Sequence, residues 1–324
     1  LEASSATAWL PQFFLPHLAH TKFVAFRYDE MFGALLALVG LLGFIVCAIQ
    51  LYYGKFIKKQ LVTGGLYGRV RHPQYLMLII GGAGFLLLWP RFFILVTYLM
   101  MLGLYYILAR HEEETIRERY GSKTDAYLAR VAMFNPFRKP SELQNWQPMS
   151  RARALGIWVG VFALSLLLAF GLRAVAITQF HAVEKAEPNV TALSFRALSD
   201  EKIQEVMDAA LATPALSSWH ADKPDSALLM QINDGRSQLT HLLIDLGMKA
   251  EQRQALELPT EGWFIVVSRV LPRDPDATEI PSAFSLAART EALYLIYLPK
   301  EGATTTVTEL SPGLFYEDFA RILF

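Results

Sequence analysis

Charge is what this sequence has least of: only 19% of its 324 residues are charged, while 53% are hydrophobic. That balance is too apolar for an ordinary soluble domain of this length, so membrane segments are the first expectation. Neither sign of charge is in excess, since 30 basic residues face 30 acidic ones. A nucleic-acid partner therefore has no electrostatic footprint, and the information lies in where the charges fall. The single cysteine, Cys47, sits inside an apolar run and excludes both a disulfide framework and a zinc cluster. His17, His20, His181, His220 and His241 are scattered without ligand spacing, and Asp274-Pro275-Asp276 with Glu279 is too short a pattern for a calcium loop, so no metal is expected. There is no dinucleotide signal, no internal repeat and no low-complexity tract.

Phe32 to Tyr53 carries no charge over 22 residues, enough to cross a hydrocarbon core of roughly 30 Å. Tyr75–Trp89 and Phe92–Ala109 are also uncharged, and only Pro90-Arg91 separates them, which reads as a helical hairpin. A fourth run, Ala154–Thr178, is interrupted by Arg173 alone. About four transmembrane helices are expected. Gly81, Gly82 and Gly84 read as helix-packing positions, and Gly156-xxx-Gly160 as a contact within the chain. Residues 1–31, with Trp9, Pro11, Phe13, Phe14 and Pro16, are apolar but broken by proline and read as an interfacial segment.

Basic residues fix an orientation. Lys55, Lys58, Lys59, Arg69 and Arg71 follow the first span, and Arg110, Arg117, Arg119, Lys123, Arg130, Arg138, Lys139, Arg151 and Arg153 separate the third from the fourth. The positive-inside rule puts the 55–73 and 110–153 segments in the cytosol. In a bacterial inner membrane everything after Gln179 is then periplasmic. Residues 179–324 have the composition of a soluble domain. Ser199 before DEKIQEVMDAAL predicts a capped helix, and runs at Ala227–Ile232, Trp263–Val270, Ala292–Leu298 and Thr304–Leu310 predict strands. The expected fold is thus an all-α polytopic membrane core over 32–178 with a C-terminal soluble α+β domain. That domain has no evident nucleophile–base pair, which favours recognition of a protein partner or gating of acceptor access over catalysis. Asn189-Val190-Thr191 is a glycosylation sequon, relevant only in a eukaryote.

Two clusters of ionisable residues flank the hairpin: Arg71-His72 before it and Arg110-His111-Glu112-Glu113-Glu114 after it. Two helices joined by a tight turn bring their outer ends together, so a basic and an acidic motif meet beside lipid. Such a pair suits a zwitterionic cofactor with both anionic and cationic groups. Read alone, Arg-His-Pro favours a membrane anchor with proline at the first helical position, a preference that Glu112-Glu113 at the matching spacing reverses, while Tyr67, Tyr75 and Tyr127 are equally interfacial aromatics.

The stretch Leu61–Tyr75 reads LVTGGLYGRVRHPQY; Glu112–Gly121 reads EEETIRERYG and is followed by Tyr127 and Val131-Ala132-Met133-Phe134-Asn135-Pro136. It closely resembles the integral membrane methyltransferases that include isoprenylcysteine carboxyl methyltransferase and phospholipid methyltransferases. Thr63, Gly65, Tyr67, Arg71, His72, Pro73, Tyr75, Glu112, Glu113, Tyr120, Gly121 and Tyr127 match in order and spacing, while Leu66, Met77 and Thr124 depart from the common pattern. The resemblance covers about 61–136 and leaves the C-terminal domain outside it. It implies S-adenosylmethionine as cofactor, held by His72, Pro73, Tyr75, Glu112 and Glu113. It also implies Arg71, Tyr67 and Tyr127 as catalytic residues that shape or charge the site of a lipid or lipidated acceptor. The competing expectation is a catalytically silent scaffold whose membrane core anchors the outer domain; a sterol-reductase-like enzyme shares part of the architecture but lacks support from any dinucleotide motif.

Overall fold

The computed structural model describes residues 7, 9–16, 21–23, 28–58, 61–137, 150–256, 258–300, 304–310 and 314–316. Sequence expectations that rest on His17, His20, Lys59, Arg138 or Lys139 lie outside the described residues. Two compact units result: Tyr28–Leu168, and Ala169–Phe324 together with the N-terminal stretch to Arg27.

In the first unit, α1 (Asp29–Tyr52) continues into a π-helical turn at Tyr53–Ile57. A 3-10 turn at Gly65–Gly68 leads to α2 (Pro73–Leu88), which has proline in its first turn, where no intrahelical N–H is needed. Trp89 to Arg91 turn the chain into α3 (Phe92–Tyr120), and α4 (Ser122–Leu128) follows after Gly121. The long helix α5 (Arg151–Thr178) crosses the boundary between the units. Three helices, Asp29–Ile57, Phe92–Tyr120 and Ala152–Thr178, are long and apolar enough to cross a membrane. They mark an integral membrane protein. The fourth expected span is the shorter α2, whose 16 residues reach about 24 Å at 1.5 Å per residue.

Small residues bring α1 and α2 together. A Cβ added at Gly40 would lie 2.4 Å from the Cα of Gly81, and one at Gly84 would lie 2.3 Å from the main-chain nitrogen of Ala37. Gly82 faces α3, where its Cβ would lie 3.0 Å from Tyr98. The packing role expected of these glycines is thus seen most sharply at Gly84, where backbone meets backbone, while a Cβ at Gly81 would sit 3.5 Å from Gly40 and Gly82 meets side chains of α3. The expectation for Gly156 and Gly160 is corrected: among the described residues, nothing outside the helix's own neighbouring backbone lies within 4 Å of a Cβ at either position. The contact α5 makes with α3 uses a different residue, Trp158, whose Nε1 donates to the carbonyl of Leu99 at 3.2 Å.

The second unit is built on a sheet ordered β1-β2-β3-β4-β5-β6, with β7 also pairing β5. Its strands are β1 (His181–Lys185), β2 (Val190–Ser194), β3 (Leu228–Asp234), β4 (Trp263–Pro272), β5 (Ala288–Leu298), β6 (Thr306–Glu309) and β7 (Phe315–Tyr316). Only β2 and β3 pair in parallel, because α6 (Asp200–Leu211) and α7 (Pro214–Asp222) form the crossover between them. The Ser199 cap is present as expected, accepting from the Lys202 N–H at 3.3 Å. Ile203, Val206, Met207 and Ala210 give α6 one apolar stripe, which packs with Met230, Ile265 and Ile296 on one face of the sheet. Helix α8 (Arg236–Asp245) supplies Leu239, Leu242 and Leu243 to the opposite face, with Leu229, Phe264 and Leu295; the short α9 (Ala250–Gln254) follows. Phe13, from the stretch read as interfacial, is 2% exposed in that same core beside Phe180 and Leu193. Arg173 is buried nearby, its two terminal nitrogens donating to the carbonyls of Phe13 at 2.6 Å and Phe284 at 3.4 Å.

Candidate functional site

The hairpin of α2 and α3 sets the geometry. Arg71 and His72 immediately precede α2, whereas Glu112 and Glu113 lie on α3, which runs without a break from Phe92 past the end of its apolar segment. Antiparallel packing brings the two pairs together. Arg71 Nη1 lies 2.9 Å from Glu113 Oε1, and both side chains are under a tenth exposed. The His72 ring bridges the two acids, with Nδ1 3.3 Å from Glu112 Oε2 and Nε2 3.3 Å from Glu113 Oε1. The Tyr75 hydroxyl donates to Glu112 Oε1 at 2.5 Å. Two cationic and two anionic groups therefore interlock, and in that state the cluster carries no net charge.

Burial and partners pull the His72 ring in opposite directions. Removal from water lowers its pKa, but hydrogen bonds and charge from Glu112 and Glu113 outweigh that cost and raise it above the ordinary imidazole value. Burial lowers the Arg71 guanidinium, opposed by Glu113. The Tyr67 and Tyr127 phenols are raised, chiefly by burial.

Main-chain contacts hold the cationic pair from behind. Val70 bridges Ala132 in parallel; the Arg71 N–H donates to the Ala132 carbonyl at 2.9 Å, and the His72 N–H to the Met133 carbonyl at 3.3 Å. Gly121, at φ +56°, lets the chain leave α3 and turn at once into α4. From α4 the Tyr127 hydroxyl donates to the Tyr67 carbonyl at 2.6 Å, and the Tyr67 hydroxyl donates to the Cys47 carbonyl of α1 at 3.4 Å. Rings stack alongside: His72 on Tyr75 at 5.6 Å between centroids, and Tyr75 on Tyr105 at 5.0 Å.

All eight residues singled out in the sequence thus fall in one neighbourhood. Arg71, His72, Tyr75, Glu112 and Glu113 form a connected polar cluster; Pro73 starts α2 behind them, and Tyr67 and Tyr127 bond main-chain carbonyls at its edge. Sequence reasoning passed over Gln50, Gln74 and Tyr105. A usable signal existed for Gln50, which carries the one amide in the uncharged run Phe32–Tyr53.

The donor set fits a zwitterionic cofactor. Within the cluster, Arg71 Nε is buried without a hydrogen-bond partner among the described residues, leaving one donor beyond the internal pairs. Glu112 keeps 41% of its side-chain surface, against 8% for Glu113.

Residues 31–123 match the family model of phospholipid methyltransferases. The matched segment contains all but the first two residues of α1, the whole of α2 and α3 and the Arg71–Glu113 cluster, and ends before Tyr127. It agrees with the resemblance carried by the two motifs. No curated protein and no solved structure matches the chain.

Proposed function

We propose that this protein transfers a methyl group from S-adenosylmethionine to a lipophilic acceptor delivered through the membrane. One observation carries the reading: Arg71-His72 and Glu112-Glu113 interlock where α2 and α3 meet, inside the segment that matches phospholipid methyltransferases. Basic residues on both flanks support a site on the cytosolic face, in our reading that of a bacterial inner membrane, with residues 179–324 as a periplasmic domain that recognises a protein partner.

His72, Tyr75, Glu112 and Glu113 hold the cofactor, and Pro73 fixes the start of the helix that presents them. Glu112, the more exposed carboxylate, suits the cofactor's ammonium or ribose, and the unpaired Nε of Arg71 suits its carboxylate. When bound, S-adenosylmethionine supplies an electrophilic methyl on a sulfonium, which the acceptor's lone pair attacks as the carbon–sulfur bond breaks. The protein's share is orientation and exclusion of water. Arg71 pairs with Glu113 in a dry setting. Tyr67 and Tyr127 direct their hydroxyl protons to main-chain carbonyls, so we assign them to positioning the 64–72 loop. A carboxylate acceptor needs no base. An amine acceptor must first lose a proton.

The test uses the full chain in lipid nanodiscs with methyl-labelled S-adenosylmethionine. Saturable binding and transfer of label to an extractable lipid or prenylated acceptor are expected. A folded protein without saturable binding sinks the reading and leaves a scaffold that anchors the outer domain.

A further inference from the structure

Gln50 is an amide in the last turn of α1, within the uncharged run Phe32–Tyr53. Such a group is costly there unless it is bonded, and intramembrane polar side chains mark function more often than packing. Its partners lie on the loop that leads into the site. Gln50 Nε2 donates to the Gly64 carbonyl at 2.5 Å, and the Leu66 N–H donates to Gln50 Oε1 at 3.4 Å. The amide therefore grips the main chain on both sides of Gly65.

Gly65 makes that grip possible. Its φ is +60°, and a Cβ at this position would lie 2.3 Å from Gln50 Nε2. A side chain here would meet both a strained backbone and the amide. Leu66 matters through its backbone, since a proline in its place would have no N–H to donate.

From Leu66 the connection to the polar cluster is short and made of backbone. The N–H groups of Arg69 and Val70 donate to the Leu66 carbonyl, both at 3.1 Å. Val70 bridges Ala132, and Arg71 and His72 follow with their N–H groups on Ala132 and Met133. The 64–72 loop is thus clamped at its far end by 132–133 and at its near end by Gln50. With the Gln50 clamp released, the 64–70 part of the loop loses its near anchor while 132–133 still holds the main chain of Arg71 and His72, so the segment that sets how these two side chains approach Glu112 and Glu113 loosens.

We infer that Gln50 is a positioning residue for the cofactor side of the site, an inference that rests on the methyl-transfer reading above. It touches none of the reacting groups and acts through the loop, so releasing it weakens S-adenosylmethionine binding without altering the chemical step.

Gln50→Met keeps length and volume while removing both hydrogen bonds. In the full chain in nanodiscs, amide hydrogen exchange over residues 62–72 is expected to accelerate while residues 200–211 stay unchanged. The S-adenosylmethionine Kd and KM should rise about tenfold, the scale of one or two lost hydrogen bonds, with kcat within about twofold. Leu66→Pro, which leaves Gln50 and its bond to Gly64 in place, should move the same quantities in the same direction by less. It also serves as the second route should Gln50→Met fail to fold. Folded variants with wild-type exchange and affinity overturn the inference. So does a fall in kcat at unchanged KM for S-adenosylmethionine. Wild-type protein that binds no S-adenosylmethionine overturns the methyl-transfer reading and the positioning role with it, while the exchange measurement, which needs no cofactor, still reports the clamp.

Discussion

Arg71 and Glu113 form a 2.9 Å ion pair in which both side chains are almost wholly screened from solvent, although one precedes the hairpin and the other follows it. Removing one partner of such a pair strands a charge. Arg71→Met should therefore destabilise the protein by about 3–5 kcal/mol, whereas Arg71→Met with Glu113→Gln should recover much of that loss. Both should fail to bind S-adenosylmethionine. Thermal unfolding and binding of labelled cofactor, measured on the same preparations, separate the two effects. A double variant as unstable as the single one would contradict the stranded-charge argument.

Stability should also depend on pH through His72. Its folded value is raised above the ordinary imidazole value by Glu112 and Glu113, which outweigh its burial. A raised folded value means that the contribution is complete below the unfolded pKa of about 6.5 and is lost as pH rises through the folded value. The melting temperature should therefore fall as pH climbs from about 6.5 through neutrality, and His72→Gln should flatten that slope. An unchanged slope in the variant would assign the pH dependence elsewhere.

Two glycine substitutions should part sharply. At Gly40 a methyl group meets the Gly81 backbone at 2.4 Å, which cannot swing aside, so Gly40→Ala should cost about 1–3 kcal/mol. At Gly160 there is open space, and Gly160→Ala should stay within about 0.5 kcal/mol of wild type. Melting temperatures of the two proteins in one detergent decide this, and equal losses would contradict the close approach of α1 and α2.

Orientation in the membrane is open to a labelling experiment, because the chain's one native cysteine, Cys47, is buried while Ser122 and Ser218 are exposed. An impermeant maleimide on intact cells should label Ser218→Cys and spare Ser122→Cys. Reaction at position 122 alone would invert the proposed topology.

Much of this was legible in the sequence because it depends on local pattern. Ser199 with its acidic first turn announces α6, and the run Trp263–Val270 falls within β4, Trp263–Pro272. The meeting of Arg71-His72 with Glu112-Glu113 follows from two motifs flanking a tight turn. What stayed hidden depends on partners distant in the chain. Gln50 is a polar letter in an apolar run until the Gly64–Leu66 backbone is seen against it. Gly156 and Gly160 share the spacing of packing glycines, yet the neighbour that spacing suggests is absent within 4 Å, whereas Gly40 and Gly81 meet across two helices without any shared motif. Strands β1 and β2 are five residues each, too short for period-two alternation to stand out.

Phe13 and Arg173 also set an order of events during synthesis. Phe13 belongs to a core that includes Leu229, Phe264 and Leu295, and its carbonyl receives the Arg173 guanidinium. Contacts between the earliest and latest segments of a chain close the largest loops and form last. Phe13 should therefore stay unburied until the strands that cover it have been synthesised. Maturation of the sheet domain is then limited by delivery of its C-terminal half, and a nascent chain stalled before β4 should leave the region around Phe13 open to protease.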